Sequence, residues 1–446
     1  MKLDYRRTFF VGLAFLSICA FWQMYDNIIP LMLKDTFGMK ETVTGVVMAM
    51  DNVLALFLIP IFGVISDKVK TPLGKRTPFI VAGTIVAVIS MTFIPIANER
   101  ANLTLFLIFL GVVLLAMGSY RSPAVALMPD LTPKQLRSKA NAIINLMGTI
   151  GGIYTLMMIK FLVNEKKEGY LPLSLSVSAI MIVAVVMLLV TIREKKLADE
   201  MGDQVTAEEH LEEIEAEKDK MNASKISVNH TLEQVVEKIK EKMPKDVKKS
   251  FLFIMVSIFL WFTAYNAVTT AYSRYAEQVW KLEPGGFVNS LLVATGAALL
   301  SYIPIGHLSC KIGRKKTIIG GIILMTVSYL CGALLSEYSS VINVIFAFTG
   351  IGWAAINVNS YPMVVEMCKG SDIGKYTGIY YIISMTAQIF TPILSGFLLE
   401  NVSYRTLFPY AVFFSLASLC TMLVVKHGDS RPPKKANVLE HFDTAD

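Results

Sequence analysis

Apolar stretches long enough to cross a lipid bilayer follow one another along this chain, and they dictate what it can fold into. They lie at 8–33, 42–66, 78–97, 103–129, 140–162, 171–191, 251–275, 286–306, 317–336, 340–362, 375–399 and 404–425. Crossing the hydrocarbon core takes ~20 apolar residues in a helix. A lipid-facing segment must also satisfy its own backbone N–H and C=O groups, which among open structures only a helix does. An all-α membrane protein with twelve transmembrane helices is therefore expected. The first run is too long for a signal-peptide core and has no A-x-A-like cleavage site after it, so it is expected to stay as a span.

Charge is distributed accordingly. Residues 192–249 hold 27 of the 77 charged residues, leaving 50 among the other 388. That pattern excludes a soluble enzyme, a disordered chain and a nucleic-acid binder. The net charge of +7 reflects basic loops, which orient membrane helices. Loops on one side carry Lys2, Arg6, Arg7, Lys68, Lys70, Lys75, Arg76, Lys134, Arg137, Lys139, Lys311, Arg314, Lys315, Lys316, Lys369, Lys375, Lys426, Arg431, Lys434 and Lys435. The alternate loops carry seven basic residues against these 20, which predicts that both termini and the 192–249 segment are cytoplasmic. The expected organisation is a six-helix bundle over 1–191, a charged linker over 192–250, a second bundle over 251–425 and a tail over 426–446. The five cysteines are scattered, with no metal-ligand spacing.

The two halves repeat one another. Gly63 and Asp67 end the second span, as Gly306 and Cys310 end the eighth. Asp130 closes the fourth span with Lys139 nine residues on, and Glu366 closes the tenth with Lys375 nine residues on. Trp22, Tyr25 and Asn27 on the first span are echoed by Trp261, Tyr265 and Asn266 on the seventh. The offsets, 243, 236 and 239 residues, agree within a few positions. Two pseudo-symmetric bundles place a substrate site near the midplane between them, exposed alternately as one rocks on the other. A secondary transporter follows. The sequence has no G-x-x-x-x-G-K-[ST] loop for ATP, and no H-E-x-x-H or G-x-S-x-G motif of an enzyme.

Several motifs resemble the major facilitator superfamily over essentially the whole chain. Gly63, Asp67, Gly74, Lys75 and Arg76, with the second copy Gly306, Gly313, Arg314, Lys315 and Lys316, are similar to its cytoplasmic signature. The stretch Gly74-Lys75-Arg76-Thr77-Pro78-Phe79-Ile80 resembles a pattern shared by glycoside–pentoside–hexuronide cation symporters and sucrose–proton symporters. The span ending around Tyr120, Arg121, Pro123 and Asp130 resembles the sucrose-symporter group. The resemblance implies the major facilitator fold and proton-coupled uptake of a sugar or glycoside at the plasma (inner) membrane. The protein would act as a monomer with no cofactor beyond the coupling proton. One departure matters. Cation symporters of the glycoside type carry two carboxylates before a span-two proline, but Ala55-Leu56-Phe57-Leu58-Ile59 precede Pro60 here. This disfavours sodium. A proton-antiporting exporter of drugs or metabolites and a sodium-coupled glycoside symporter remain the alternatives.

Ionisable residues inside spans are costly and so point to function. Asp26 and Asp51 sit at one depth and could share a proton, or could simply be hydrogen-bonded, Asp26 in an unwound turn before Pro30. Arg121 needs an acceptor, either substrate hydroxyls or a structural carboxylate. Asp130 is the proton carrier if the resemblance holds. Alternatively it is a latch near Lys139 and the basic loop, an arrangement Glu366 and Lys375 repeat. Asp67 is expected to meet a helix N-terminus or an arginine of the other half. Sugar-contact candidates are Trp22, Gln23, Tyr25 and Asn27, then Trp261, Tyr265 and Asn266, then Trp353, Asn357 and Asn359.

Overall fold

A computed structural model describes residues 4–132, 137–163, 169–197, 245–283, 285–367 and 373–429. Twelve helices in it are long and apolar enough to cross a membrane. They are α1 (Tyr5–Asp35), α2 (Glu41–Lys68), α3 (Thr77–Glu99), α4 (Leu103–Asp130), α5 (Arg137–Leu162), α6 (Tyr170–Thr191), α7 (Lys245–Val279), α8 (Val288–Ile312), α9 (Arg314–Leu334), α10 (Val341–Glu366), α11 (Ile373–Asn401) and α12 (Leu407–Val424). A short 3₁₀ turn at Tyr404–Thr406 leads into α12. Most helices extend past the apolar run that predicts them, several by only one or two residues, while α12 falls short of its run. The longest extensions are six residues, at the start of α7 (Lys245, where the apolar run starts at 251) and at the end of α8 (Ile312, where the run ends at 306). Charged residues in these terminal turns leave the apolar interior and reach the aqueous edge. α1 runs unbroken through Pro30, so the unwound turn expected there is not present.

Packing makes the repeat explicit. In the first half α1 packs on α5 and α6, α3 on α4 and α6, and α2 on α4. In the second half α7 packs on α11 and α12, α9 on α10 and α12, and α8 on α10. Each pair has its counterpart six helices on. The seam between the halves obeys the same symmetry, with α2 against α11 and α5 against α8.

The α2–α11 seam is backbone on backbone. A Cβ on Gly45 would stand 2.0 Å from the Pro392 carbonyl oxygen, and one on Gly396 2.4 Å from that of Glu41. Glycine is what lets two membrane helices approach this closely. The helix ends on the side of the N-terminus form a basic face, with the loops at 69–76 and 313 and the segment after α6. The opposite, far face holds the α1–α2 and α11–α12 connections.

Candidate functional site

Five residues singled out by chemistry border one cavity of about 160 Å³ between the halves. Trp22 and Asp26 come from α1, Asp51 from α2, Arg121 from α4 and Asn266 from α7, joined by Met48, Asn52, Thr269, Thr270, Gln388 and Pro392. All the ionisable groups come from the first half. The second half supplies amides and hydroxyls. The Arg121 guanidinium lies 6.0 Å from the Trp22 ring centroid. Trp22 is held edge-on by Phe21 and Tyr25, at 4.9 and 5.4 Å. Asn52 Nδ2 donates to Asp51 Oδ1 at 2.7 Å. The Trp22 Nε1 and Asn266 Nδ2 donors are buried with no hydrogen-bond partner among the described residues. Within 4.0 Å Arg121 meets no carboxylate among them. Uncommitted buried donors are expensive unless something accepts from them.

The other candidates lie off this cavity. The Tyr25 hydroxyl donates to the Met48 carbonyl at 3.2 Å and so fastens α1 to α2. Asn27 Nδ2 donates back to the Gln23 carbonyl at 2.9 Å, within α1. Gln23 faces Gly152 of α5. Trp261 is buried in the core of the second half. Tyr265 and Trp353 stack with ring centroids 3.8 Å apart, and Phe262 abuts Trp353 at 5.3 Å. Asn359 Nδ2 donates to the Ala355 carbonyl at 2.9 Å, and Asn357 is buried in the same helix. Gln388, Thr269, Thr270 and Asn52 line the cavity although sequence reasoning passed over them. The signal was faint: Gln388 is a lone amide in an apolar stretch, and the threonines follow Asn266 by one turn.

On the basic face, Arg76 gathers the signature residues. Its Nε donates to Asp130 at 2.8 Å, its other nitrogens reach Asp67, Ser66 and the Gly63 carbonyl, and Lys75 approaches Asp130 at 3.1 Å. The arginine that Asp67 meets is thus in its own half, because the loop turns back at Thr71–Gly74. In the second half Arg314 pairs with Glu366 and the Pro362 carbonyl. Cys310 stands where Asp67 does, so this side has one carboxylate fewer. The Lys139 and Lys375 side chains lie outside the described residues.

The repeat has a further member that the sequence did not disclose. Glu194, just past α6, accepts from the backbone N–H groups of Lys75, Arg76 and Thr77 at 2.8–2.9 Å and caps α3. Asp429, past α12, accepts from Lys315 N at 2.6 Å at the start of α9. Carboxylates stabilise helix N-termini. Gly74 and Gly313, with φ of 115° and 97°, stand against these acids, and a Cβ on Gly74 would lie 2.3 Å from Glu194. Gly74→Ala is expected to cost about 1–3 kcal/mol, from left-handed strain and displacement of Glu194. Thermal unfolding of the purified protein checks this, and an unchanged Tm refutes it.

The far face is closed by charge. Arg274 Nε donates to Glu41 Oε2 at 2.8 Å, both side chains being almost fully buried (5% and 4% exposed). Lys34 lies 3.3 Å from Glu41, and Tyr404 donates to Glu41 and accepts from Lys34. Thr42 donates from N and Oγ1 to Glu400 at 3.0 and 2.6 Å. These bonds join α1 and α2 of the first half to α7, α11 and the 3₁₀ turn of the second.

A family model described as Major Facilitator Superfamily matches residues 11–301 and 284–443. The chain belongs to this superfamily. An uncharacterized MFS-type transporter of Mycobacterium tuberculosis is 30% identical over 130 residues, 29% of this chain and 19% of the relative. An uncharacterized transporter of Buchnera aphidicola is 28% identical over 196 residues, 42% of this chain and 46% of the relative. The chain thus spans from a fifth to under half the length of these relatives. Two solved structures share the fold of this superfamily member. One is a POT family transporter in complex with 5-aminolevulinic acid, with a TM-score of 0.69 and 12% identity, covering 95% of this chain and 96% of that one. The other is the xylose transporter XylE from E. coli in an inward open conformation, with a TM-score of 0.67 and 13% identity over 97% of both chains.

Proposed function

We propose that the protein is a proton-coupled symporter that carries a sugar or glycoside across the plasma membrane by alternating access. The observation that supports this most is the cavity of about 160 Å³ where Asp26, Asp51, Arg121 and Trp22 face Asn266 and Gln388. Its size falls below the ~300–1,000 Å³ of pockets for drug-sized ligands, which favours a small polar cargo over a drug. A polyhydroxylated molecule suits what surrounds it: carboxylates to accept from hydroxyls, Arg121 and the buried Trp22 and Asn266 donors to give to them, and an indole for an apolar sugar face. The branch resemblance of Gly74–Ile80 points the same way.

The proton role falls to Asp26 and Asp51, which border the cavity. Asp130, bonded to Arg76 and Lys75 on the basic face, acts as a latch on the signature loop. The basic face is cytoplasmic, a reading that the distribution of Lys and Arg supports, and the protein works as a monomer.

The test is uptake of a panel of labelled sugars into energised vesicles, with and without a proton uncoupler. Accumulation of at least one sugar that collapses with the uncoupler is expected. Accumulation that persists under the uncoupler but needs sodium would reject the proton. Absence of any sugar uptake, together with drug resistance on expression, would reject the cargo.

A further inference from the structure

Two adjoining cavities on the basic face, of about 530 and 360 Å³, lie where the 69–76 loop meets the segment leaving α6. They share Pro72, Glu194 and Lys195. Their charged lining is Asp67, Lys70, Lys75, Glu194 and Lys195 in the first, and Arg193, Glu194, Lys195 and Lys196 in the second. Both acids are already committed. Asp67 pairs with Arg76, and both Glu194 oxygens accept from the α3 N-terminus. Lys75 is committed too, to Asp130. Lys70, Arg193 and Lys195 are exposed and make no ion pair with any described residue.

The position of this basic hollow is as telling as its charge. It lies at the ends of two spans, α3 and α6, and the second cavity's lining includes the apolar Leu73, Leu189 and Ile192. Leu73, on the 69–76 loop, is 54% exposed, and Val190, on α6 next to the lining residue Leu189, is 76% exposed. Apolar surface that faces outward on a membrane span faces lipid. A cationic hollow beside such surface suits the two-part chemistry of a phospholipid, an anionic headgroup and an acyl chain. Basic pockets at the membrane edge between helices bind such headgroups, and each Lys or Arg near an anionic surface contributes.

We propose that this hollow is a binding site for an anionic phospholipid, its phosphate held by Lys70, Arg193 and Lys195 and its chain laid along Leu73 and Val190. The bound lipid joins the signature loop to the first residues of the linker, the same two segments that Glu194 ties together. The inference rests on the membrane-spanning fold and not on the identity of the cargo.

The test uses the purified full chain in non-ionic detergent, titrated with phosphatidylglycerol or phosphatidylcholine and followed by native mass spectrometry. Phosphatidylglycerol is expected to bind more tightly than phosphatidylcholine. Each cation is worth about fivefold in affinity, so the Lys70→Gln, Arg193→Gln, Lys195→Gln triple variant should weaken phosphatidylglycerol binding about a hundredfold. A control triple elsewhere on the same face, Lys249→Gln, Lys311→Gln and Lys316→Gln, should leave binding within about threefold. Equal binding of the two lipids, or equal losses in the two triples, would overturn the site. Displacement by soluble glycerol phosphate at matched concentration would assign it to a free phosphate and overturn the lipid.

Discussion

Replacing Arg274 with Met is expected to open the far face of the protein. The substitution keeps most of the side-chain volume but leaves Glu41 buried without its main counter-charge. Removing one partner of a buried ion pair typically costs ~3–5 kcal/mol. Lys34 stays within 3.3 Å of Glu41, so the effect belongs at the lower end, about a hundredfold in the ratio of closed to open. The direction follows from solvation. Opening hydrates the orphaned carboxylate, whereas closing buries it. A cysteine placed at Thr269 in the cavity, with the native cysteines replaced, reports the change. Its reaction with a membrane-impermeant thiol reagent applied to the far face should accelerate about a hundredfold in the Arg274→Met background. Unchanged labelling with a lowered Tm would make the pair a fold stabiliser and not a gate. Adding Glu41→Gln removes the second charge as well, and the double variant should return toward the parent, as buried pairs replaced together often do.

Asp26→Asn and Asp51→Asn form the second large prediction. Two carboxylates border a cavity with one guanidinium, which leaves one negative charge for a proton to neutralise before the site can cross a low-dielectric barrier. Under the proposed function, at least one of the two variants is expected to lose uphill accumulation completely, so that internal and external cargo merely equilibrate, while counterflow exchange continues. Amide for carboxylate keeps shape and hydrogen bonding but carries no titratable proton. Loss of exchange in both variants would assign both acids to cargo binding. Retention of full accumulation in both would remove the proton role from this cavity.

The spans were legible because insertion into lipid tolerates no ambiguity of length or composition, and their register held apart from terminal turns such as Lys245–Ser250. The cavity was legible only in part. Asp26, Asp51 and Arg121 stood out because charge inside a bilayer is expensive. Gln388 and Thr269 did not, since uncharged polar groups sit in membrane helices at little cost. Tyr25, Asn27, Asn357 and Asn359 illustrate the converse. Their chemistry suits a sugar, but residue type does not report which way a side chain turns, and these four are buried off the cavity. Glu41 and Arg274 fall at span ends, where charge is ordinary, and only the folded chain brings positions 233 residues apart into one ion pair. The capping acids Glu194 and Asp429 escaped notice because they act on backbone N–H groups and leave no side-chain pattern to match.

The bare backbone contact of α2 with α11 has a kinetic consequence. A seam filled with interdigitated side chains must be unpicked before one bundle can move on the other, and each unpicking adds to the barrier. At Gly45 and Gly396 no side chain stands between the two backbones. If one bundle rocks on the other as proposed, the barrier to that motion then lies at the rim, where the Glu41–Arg274 pair and the Thr42–Glu400 bonds must part.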